Sequence, residues 1–249
     1  ALFGQCCFSP GMAKNTYGTG CFMLMNTGVE IPNSDSGLLN TIAWQIGDKI
    51  TYALEGSVFV AGAAIQWLRD GLEIIDHARE TSEIAARDAL KNPDSSVVMV
   101  PAFAGLGTPF WDMQARGAIL GLTRDSGRDS IIRATLESLA HRSNDVLDVM
   151  QEDSGISLFA LKVDGGASAN DYLMQFQSNL LGVSIERLSF VESTASGVAY
   201  MAALTIGALT LEEISLLPKL DRSFDPEKSM EWRQRKKATW SKALERVVL

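Results

Sequence analysis

Histidine is almost missing from this chain: His77 and His141 are the only two in 249 residues, too few for a His-rich metal cage or for several imidazole relays. Both are expected on helix surfaces. Cysteine is scarce as well. Cys6, Cys7 and Cys21 show no Cys-x-x-Cys spacing, and one would be left over from any single disulfide, which fits reduced, mostly buried thiols of a cytoplasmic protein. Positive charge is in deficit, with 22 Lys and Arg against 30 Asp and Glu and a formal charge of -8. A nucleic-acid groove or an anionic membrane surface needs clustered cations, so neither partner is expected and any phosphate site must be local. Long apolar runs are also lacking, because Glu55, Gln66, Pro101 and several glycines interrupt the most hydrophobic stretches before a membrane thickness is reached. No signal peptide or membrane insertion is expected.

What the chain does have is apolar content: 46% of residues, enough for a substantial core in one large or two small domains. With no internal repeat and no low-complexity linker, a single domain over 1–249 is expected. The opening Ala1-Leu2-Phe3-Gly4-Gln5 starts inside an apolar pattern, as if an element had been cut, and suggests a fragment. Residues 1 to 12 read as a short helical piece ending at Pro10-Gly11. The stretch from 15 to 28 then places Gly18-Thr19-Gly20 between two extended apolar runs, predicting strands at 13–18 and 20–26. Glycine folds such a turn sharply and directs its amides outward, and the Thr19 hydroxyl adds a donor, so the turn can cradle a phosphate. An ordinary β-hairpin is the bland alternative.

Further strands are expected at 38–46 and 49–55 around Gly47-Asp48, a two-residue hairpin signal. Gly56-Ser57 breaks the sheet, and 58–77 carries helical spacing with Gly62 in its first turns, where close approach of a ligand or of a packed strand would favour glycine. A charged helix over 79–92, a buried strand at 97–101, a Gly/Pro/aromatic loop over 104–112, a strand at 117–122 and a long helix over 130–153 follow. The strand at 159–163 runs into Asp164-Gly165-Gly166-Ala167-Ser168-Ala169-Asn170 and a helix closed by Gly182, a second nucleotide-like feature because a helix N-terminus offers positive dipole and free amides. A strand at 183–188 and a small-residue helix from Thr194 imply a mainly parallel second half of the sheet. The tail from 227 to 248 is an amphipathic helix whose Arg233-Gln234-Arg235-Lys236-Lys237 run reads as a solvated face. Asp112, Glu137 and Asp164 are the suggestive carboxylates, with caps and surface pairs the plain alternative for each.

Antiparallel strands followed by alternating helices and strands fit an α/β fold: half of a ribonuclease-H-like, actin-like ATPase, with a mixed sheet and flanking helices. Four runs then carry a resemblance: Ala13-Lys14-Asn15-Thr16-Tyr17-Gly18-Thr19-Gly20-Cys21-Phe22, Tyr52-Ala53-Leu54-Glu55-Gly56-Ser57-Val58-Phe59, Pro101-Ala102-Phe103-Ala104-Gly105-Leu106-Gly107 and Val163-Asp164-Gly165-Gly166-Ala167. They resemble the C-terminal domain of the FGGY carbohydrate kinases, in its glycerol-phosphorylating branch, over nearly all the chain. The resemblance implies ATP-dependent phosphorylation of glycerol to glycerol 3-phosphate with Mg2+, in the cytoplasm, by a homo-oligomer.

It also implies roles. Gly18 and Thr19 would contact the β and γ phosphates, Gly62 and Gln66 would line the ADP side, Gly165, Gly166 and Asn170 would hold the adenine end, and Phe22 would pack on the glycerol carbons. The family's general-base aspartate stands in a Gly-Asp-Gln-Gln motif just before the segment that opens here at Ala1, so no catalytic residue is assigned within this chain. Its own N-terminal domain would supply the rest of the cleft, and the piece alone is expected to be inactive. Two other readings stand beside this one: another FGGY sugar kinase, acting on a pentulose or gluconate, and an actin-like ATPase or binding module with no small-molecule acceptor.

Overall fold

The Gly18-Thr19-Gly20 turn joins β1 (Met12–Tyr17) to β2 (Cys21–Gly28) as an antiparallel pair, with Thr16 opposite Phe22 and Tyr17 opposite Cys21. The structure is a computed structural model and describes residues 1–190 and 192–248. β3 (Leu39–Ile46) folds back at Gly47-Asp48 into β4 (Lys49–Val58), and β4 lies against β2. Gly47 takes a φ of +59, which a two-residue hairpin turn demands. After α1 (Gly62–Asp70) and α2 (Glu80–Lys91), a small two-stranded sheet forms from β5 (Val98–Val100) and β6 (Ala118–Leu120).

The long α3 (Arg128–Ser154) ends on left-handed Gly155 and leads into β7 (Ala160–Asp164). Next come α4 (Asp171–Leu181), β8 (Ile185–Leu188), α5 (Ser193–Thr205), α6 (Leu211–Ser215), β9 (Leu220–Phe224) and α7 (Met230–Leu244). The seven-stranded sheet has the order β3-β4-β2-β1-β7-β8-β9. β7 pairs with β1 and with β8 in parallel, whereas every other neighbour is antiparallel. Strand alternation divides the sheet into two faces. Tyr17, Cys21, Met23, Met25, Leu161 and Val163 turn to one side and pack on Ile132, Leu136 and Leu139 of α3 and on Leu173 and Phe176 of α4. Each such side chain fully buried contributes roughly 1.5–3 kcal/mol. The opposite face is covered by Leu2, Phe3 and Cys7, with Trp44 and Ala53 and with Tyr200 and Met201 of α5.

Several expectations need correction. Residues 1 to 11 form turns and irregular backbone rather than a helix, Met12 already belongs to β1, and 2 to 7 are buried against the sheet. Gly4 has no room for a side chain there, because a Cβ would lie 1.9 Å from the Ser193 carbonyl oxygen. Gly56-Ser57 does not break the sheet: β4 runs on to Val58, and Gly56 lets Val146 of α3 come close. The helix expected over 58–77 is shorter, Gly62–Asp70. The second half of the sheet is parallel at β7 and β8 only, since β9, which no apolar alternation announced, returns antiparallel. His77 is exposed but lies ahead of α2, and His141 is buried. All three cysteines are free and buried, as expected. Among the described residues no helix is long and apolar enough to cross a membrane.

Candidate functional site

The first turn is anchored from behind by α1. Gly62 N–H donates to the Gly18 carbonyl at 3.0 Å, and the amides of Ala61 and Ala63 both donate to the Thr19 carbonyl, at 2.8 and 3.2 Å. A trans peptide unit points its N–H opposite its C=O. With both carbonyls held on the helix N-terminus, the N–H groups of Thr19 and Gly20 therefore point away from α1, and neither donates a hydrogen bond among the described residues. Gly18 and Thr19 are exposed. Two outward amides beside a hydroxyl make an anion nest. Gly62 earns its place by contact with the turn, since a Cβ would come within 2.6 Å of the Gly18 oxygen.

The second turn stands next to the first. β1 and β7 are parallel neighbours with Thr16 opposite Asp164, so the turns after Tyr17 and after Asp164 leave the same end of the sheet. Gly165, at φ 85 and ψ 170, lies against the Tyr17 backbone. Its carbonyl accepts from Ser168 N–H at 3.2 Å and Ser168 Oγ at 2.7 Å, which directs the Gly166 N–H the other way. Gly166 is exposed. The carboxyl ends of adjacent parallel strands are where open α/β sheets bind ligands. A cavity of about 520 Å³ opens at this turn, lined by Gly165, Gly166, Ser168, Arg187, Glu192 and Asp221.

The remaining expected residues are placed unevenly. Gln66 is exposed on α1, one turn beyond Gly62 and on the same side of the helix. Phe22 is 56% exposed and sits across from Thr16. Asn170 is at the second turn but its side chain is already engaged. Its Oδ1 caps α4 by accepting from Leu173 N–H at 3.0 Å, and its Nδ2 donates to Thr81 Oγ1 at 2.9 Å. The amide thus caps α4 and fixes the turn, with one N–H and one oxygen lone pair left over.

Beneath the turns lies a polar layer that motif reading passed over. Lys14 is 4% exposed and donates from Nζ to Phe22 O at 2.8 Å and Thr16 Oγ1 at 3.1 Å. Burial pulls its pKa down, opposed by the charges of Asp164 and Glu55. Asp164 accepts from Ser193 Oγ through Oδ2, while its Oδ1 is buried without a partner. Alternation along Ala13-Lys14-Asn15-Thr16 was the available signal, because it sets Lys14 and Thr16 on one face of β1. The other suggestive carboxylates are structural. Asp112 accepts from the amides of Gln114 and Ala115, and buried Glu137 meets Arg133 at 2.6 Å, Tyr172 Oη at 2.7 Å and Lys236 at 3.2 Å. Lys236 thus leaves the solvated face expected for the basic run, while Lys237 pairs with Asp148 at 2.9 Å on the surface. Among the described residues no three His, Cys, Asp or Glu side chains come together as a metal site.

Residues 13–206 match the C-terminal domain of the FGGY family of carbohydrate kinases, and the chain belongs to that family. The sheet and its flanking helices are accordingly half of an actin-like ATPase fold. Among named relatives, a glycerol kinase of Caldanaerobacter subterraneus subsp. tengcongensis is 58% identical over 250 residues, covering 100% of this chain and 50% of the relative. Glycerol kinase 2 of Thermotoga maritima is 55% identical over 248 residues, covering 99% and 49%. The crystal structure of Plasmodium falciparum glycerol kinase with ADP superposes with a TM-score of 0.93 at 38% identity, covering 100% of this chain and 49% of that one. A xylulose kinase from Lactobacillus acidophilus, at 20% identity and a TM-score of 0.80, shares the fold. The chain spans about half the length of the curated relatives it matches.

Proposed function

We propose that this chain is the nucleotide side of an ATP-dependent kinase that phosphorylates glycerol to sn-glycerol 3-phosphate. The observation that carries the reading is the common direction of the two glycine turns, whose outward amides at Thr19, Gly20 and Gly166 leave one end of adjacent parallel strands. Gly18 and Thr19 hold the β and γ phosphates, Gly62 and Gln66 line the ADP side, and Gly165 and Gly166 take the adenine end in a turn fixed by Asn170. Phe22 presents a water-excluding ring to the glycerol carbons. The ADP complex of the Plasmodium falciparum glycerol kinase and the names of the bacterial relatives support nucleotide and acceptor respectively.

Phosphoryl transfer rests on positioning and charge stabilisation, so an N-terminal domain closing over these turns is part of the proposal, as are homo-oligomeric assembly and a cytoplasmic location. Mg2+ belongs to it as the ion that accompanies the nucleotide phosphates.

A coupled assay on the full-length polypeptide tests the reading. ADP release with glycerol is the expected result. Release only with a pentulose or gluconate would move the substrate to the other sugar kinases of the family, and release with no acceptor would favour a free-standing ATPase. Within the site, Thr19→Val removes the hydroxyl donor without changing side-chain shape much. It should weaken ATP use, read as kcat/KM, by about 1–3 kcal/mol if the hydroxyl meets a charged oxygen. Unchanged kcat/KM would move the phosphates off this turn.

A further inference from the structure

The phosphate turn described above is built from neutral groups: two amides and a hydroxyl. A polyphosphate brings several negative charges to it, and the chain as a whole is already acidic at -8. Directly beneath the turn, however, is a cation that none of the expected roles used. Lys14 is enclosed on the same face as Thr16 and Phe22, and two of its three ammonium hydrogens are taken by Phe22 O and Thr16 Oγ1. Phe22 is two residues beyond Gly20, so the strand rise puts this ammonium about 7 Å below the turn backbone.

Asp164, across from Thr16 on β7, and Glu55, across from Leu24 on β4, are the neighbouring anions, yet no ion pair joins either to Lys14 among the described residues. One of the Asp164 oxygens is buried and unpartnered. An enclosed ammonium and an enclosed carboxylate held apart, each with hydrogen-bonding capacity left over, is a costly arrangement for stability alone. It becomes useful if the positive charge is directed at something above the sheet.

We propose that Lys14 is a positioning residue that supplies the fixed positive charge of the phosphate site from below the Gly18–Gly20 turn, with Asp164 as the counter-charge that moderates it. This rests on the nucleotide reading of the turns. The ligand it acts on is the polyphosphate of a nucleoside di- or triphosphate, and it leaves the nucleoside moiety untouched.

The test compares ADP with adenosine by calorimetric titration of the full-length polypeptide. Lys14→Met keeps an unbranched side chain, one atom shorter, and removes the charge. It is expected to weaken ADP about tenfold and to leave adenosine within about twofold, because only the phosphates feel the field. Asp164→Asn removes the opposing charge and is expected to act with the opposite sign, tightening ADP a few-fold. Equal losses for both ligands in Lys14→Met would mark a merely structural lysine and overturn the inference, as would unchanged ADP affinity. Should Lys14→Met fail to fold, the ADP-to-adenosine ratio of Asp164→Asn decides, and a loss there instead of a gain overturns it. Failure of the unmodified polypeptide to bind ADP would instead overturn the nucleotide reading, and this inference with it.

Discussion

Gly165→Ala is expected to destabilise the folded protein by about 3–5 kcal/mol, while Gly166→Ala, one residue on, changes stability by less than about 0.5 kcal/mol. The two glycines share a motif but not a reason. At Gly165 the backbone sits at φ 85 and ψ 170, a region that residues with a side chain essentially do not enter. A Cβ there would also lie 2.4 Å from the Tyr17 carbonyl oxygen and 2.7 Å from its carbon, and backbone in the middle of a sheet cannot step aside. Relief would require β1 and β7 to part at the end where both turns begin. At Gly166 nothing lies within 4 Å of the added carbon, and no positive φ is required. Urea denaturation of the two variants gives the comparison directly. Equal stabilities would mean that Gly165 is not what holds the turns together.

How much of this could be read beforehand differs from element to element. The turn at Gly47 and the cap at Gly182 were legible because glycine at a forced backbone angle is a local signal, and the hairpin around Gly18-Thr19-Gly20 because a short glycine-bearing gap divides two apolar runs. That the two glycine turns would be neighbours was not local: it depends on β7 pairing with β1 across more than a hundred residues, and only the fold fixes that register. Gly56 misled for a related reason. In sequence it looks like a strand breaker, and in space it makes room for Val146 of α3. β9 escaped because four of its five residues are exposed and carry no alternation. At Asn170 the amide that suits a base also suits an N-cap, and the capping role at the start of α4 was not announced by the motif. Lys14 and Lys236 were hidden by the rule that lysine is a surface residue. Each is drawn inward by partners that are remote in sequence or on another strand.

His141 gives the second large effect, because a buried imidazole without a hydrogen-bond partner makes stability depend on pH. Its ring stacks on Trp240 at 4.9 Å with 9° between planes and meets Phe176 edge-on at 5.6 Å, and Nδ1 is buried and unpartnered. Burial pushes its pKa down to about 3, against the raising influence of Glu137. A histidine depressed in this way binds its proton more readily unfolded than folded, so its stability contribution is present above the unfolded value near 6.5 and is lost as pH falls towards 3. The full window corresponds to roughly 4–5 kcal/mol, and about half of it is traversed by pH 4.5.

That upper part of the window is the informative one. Glu137 also destabilises in acid: although burial opposes its charge, Lys236 and Arg133 hold its carboxyl below the ordinary value, so its contribution disappears as pH drops below about 4.5. Asp145 acts in the opposite sense, since burial raises its carboxyl to about 6 despite Arg142 and Trp240, and stability is gained as pH falls through that value. The acid limb of the unmodified protein is therefore partly flattened, and its shape alone does not reveal the histidine. The difference from His141→Phe does, because Asp145 and Glu137 remain in both. Denaturant-derived stabilities measured from pH 7 to 4.5 should converge as pH falls if the variant begins less stable, or diverge in the variant's favour if it begins equal, with the unmodified protein losing up to about 1.4 kcal/mol more per pH unit. Parallel curves would mean that the ring is hydrated or partnered in solution and takes up its proton without unfolding.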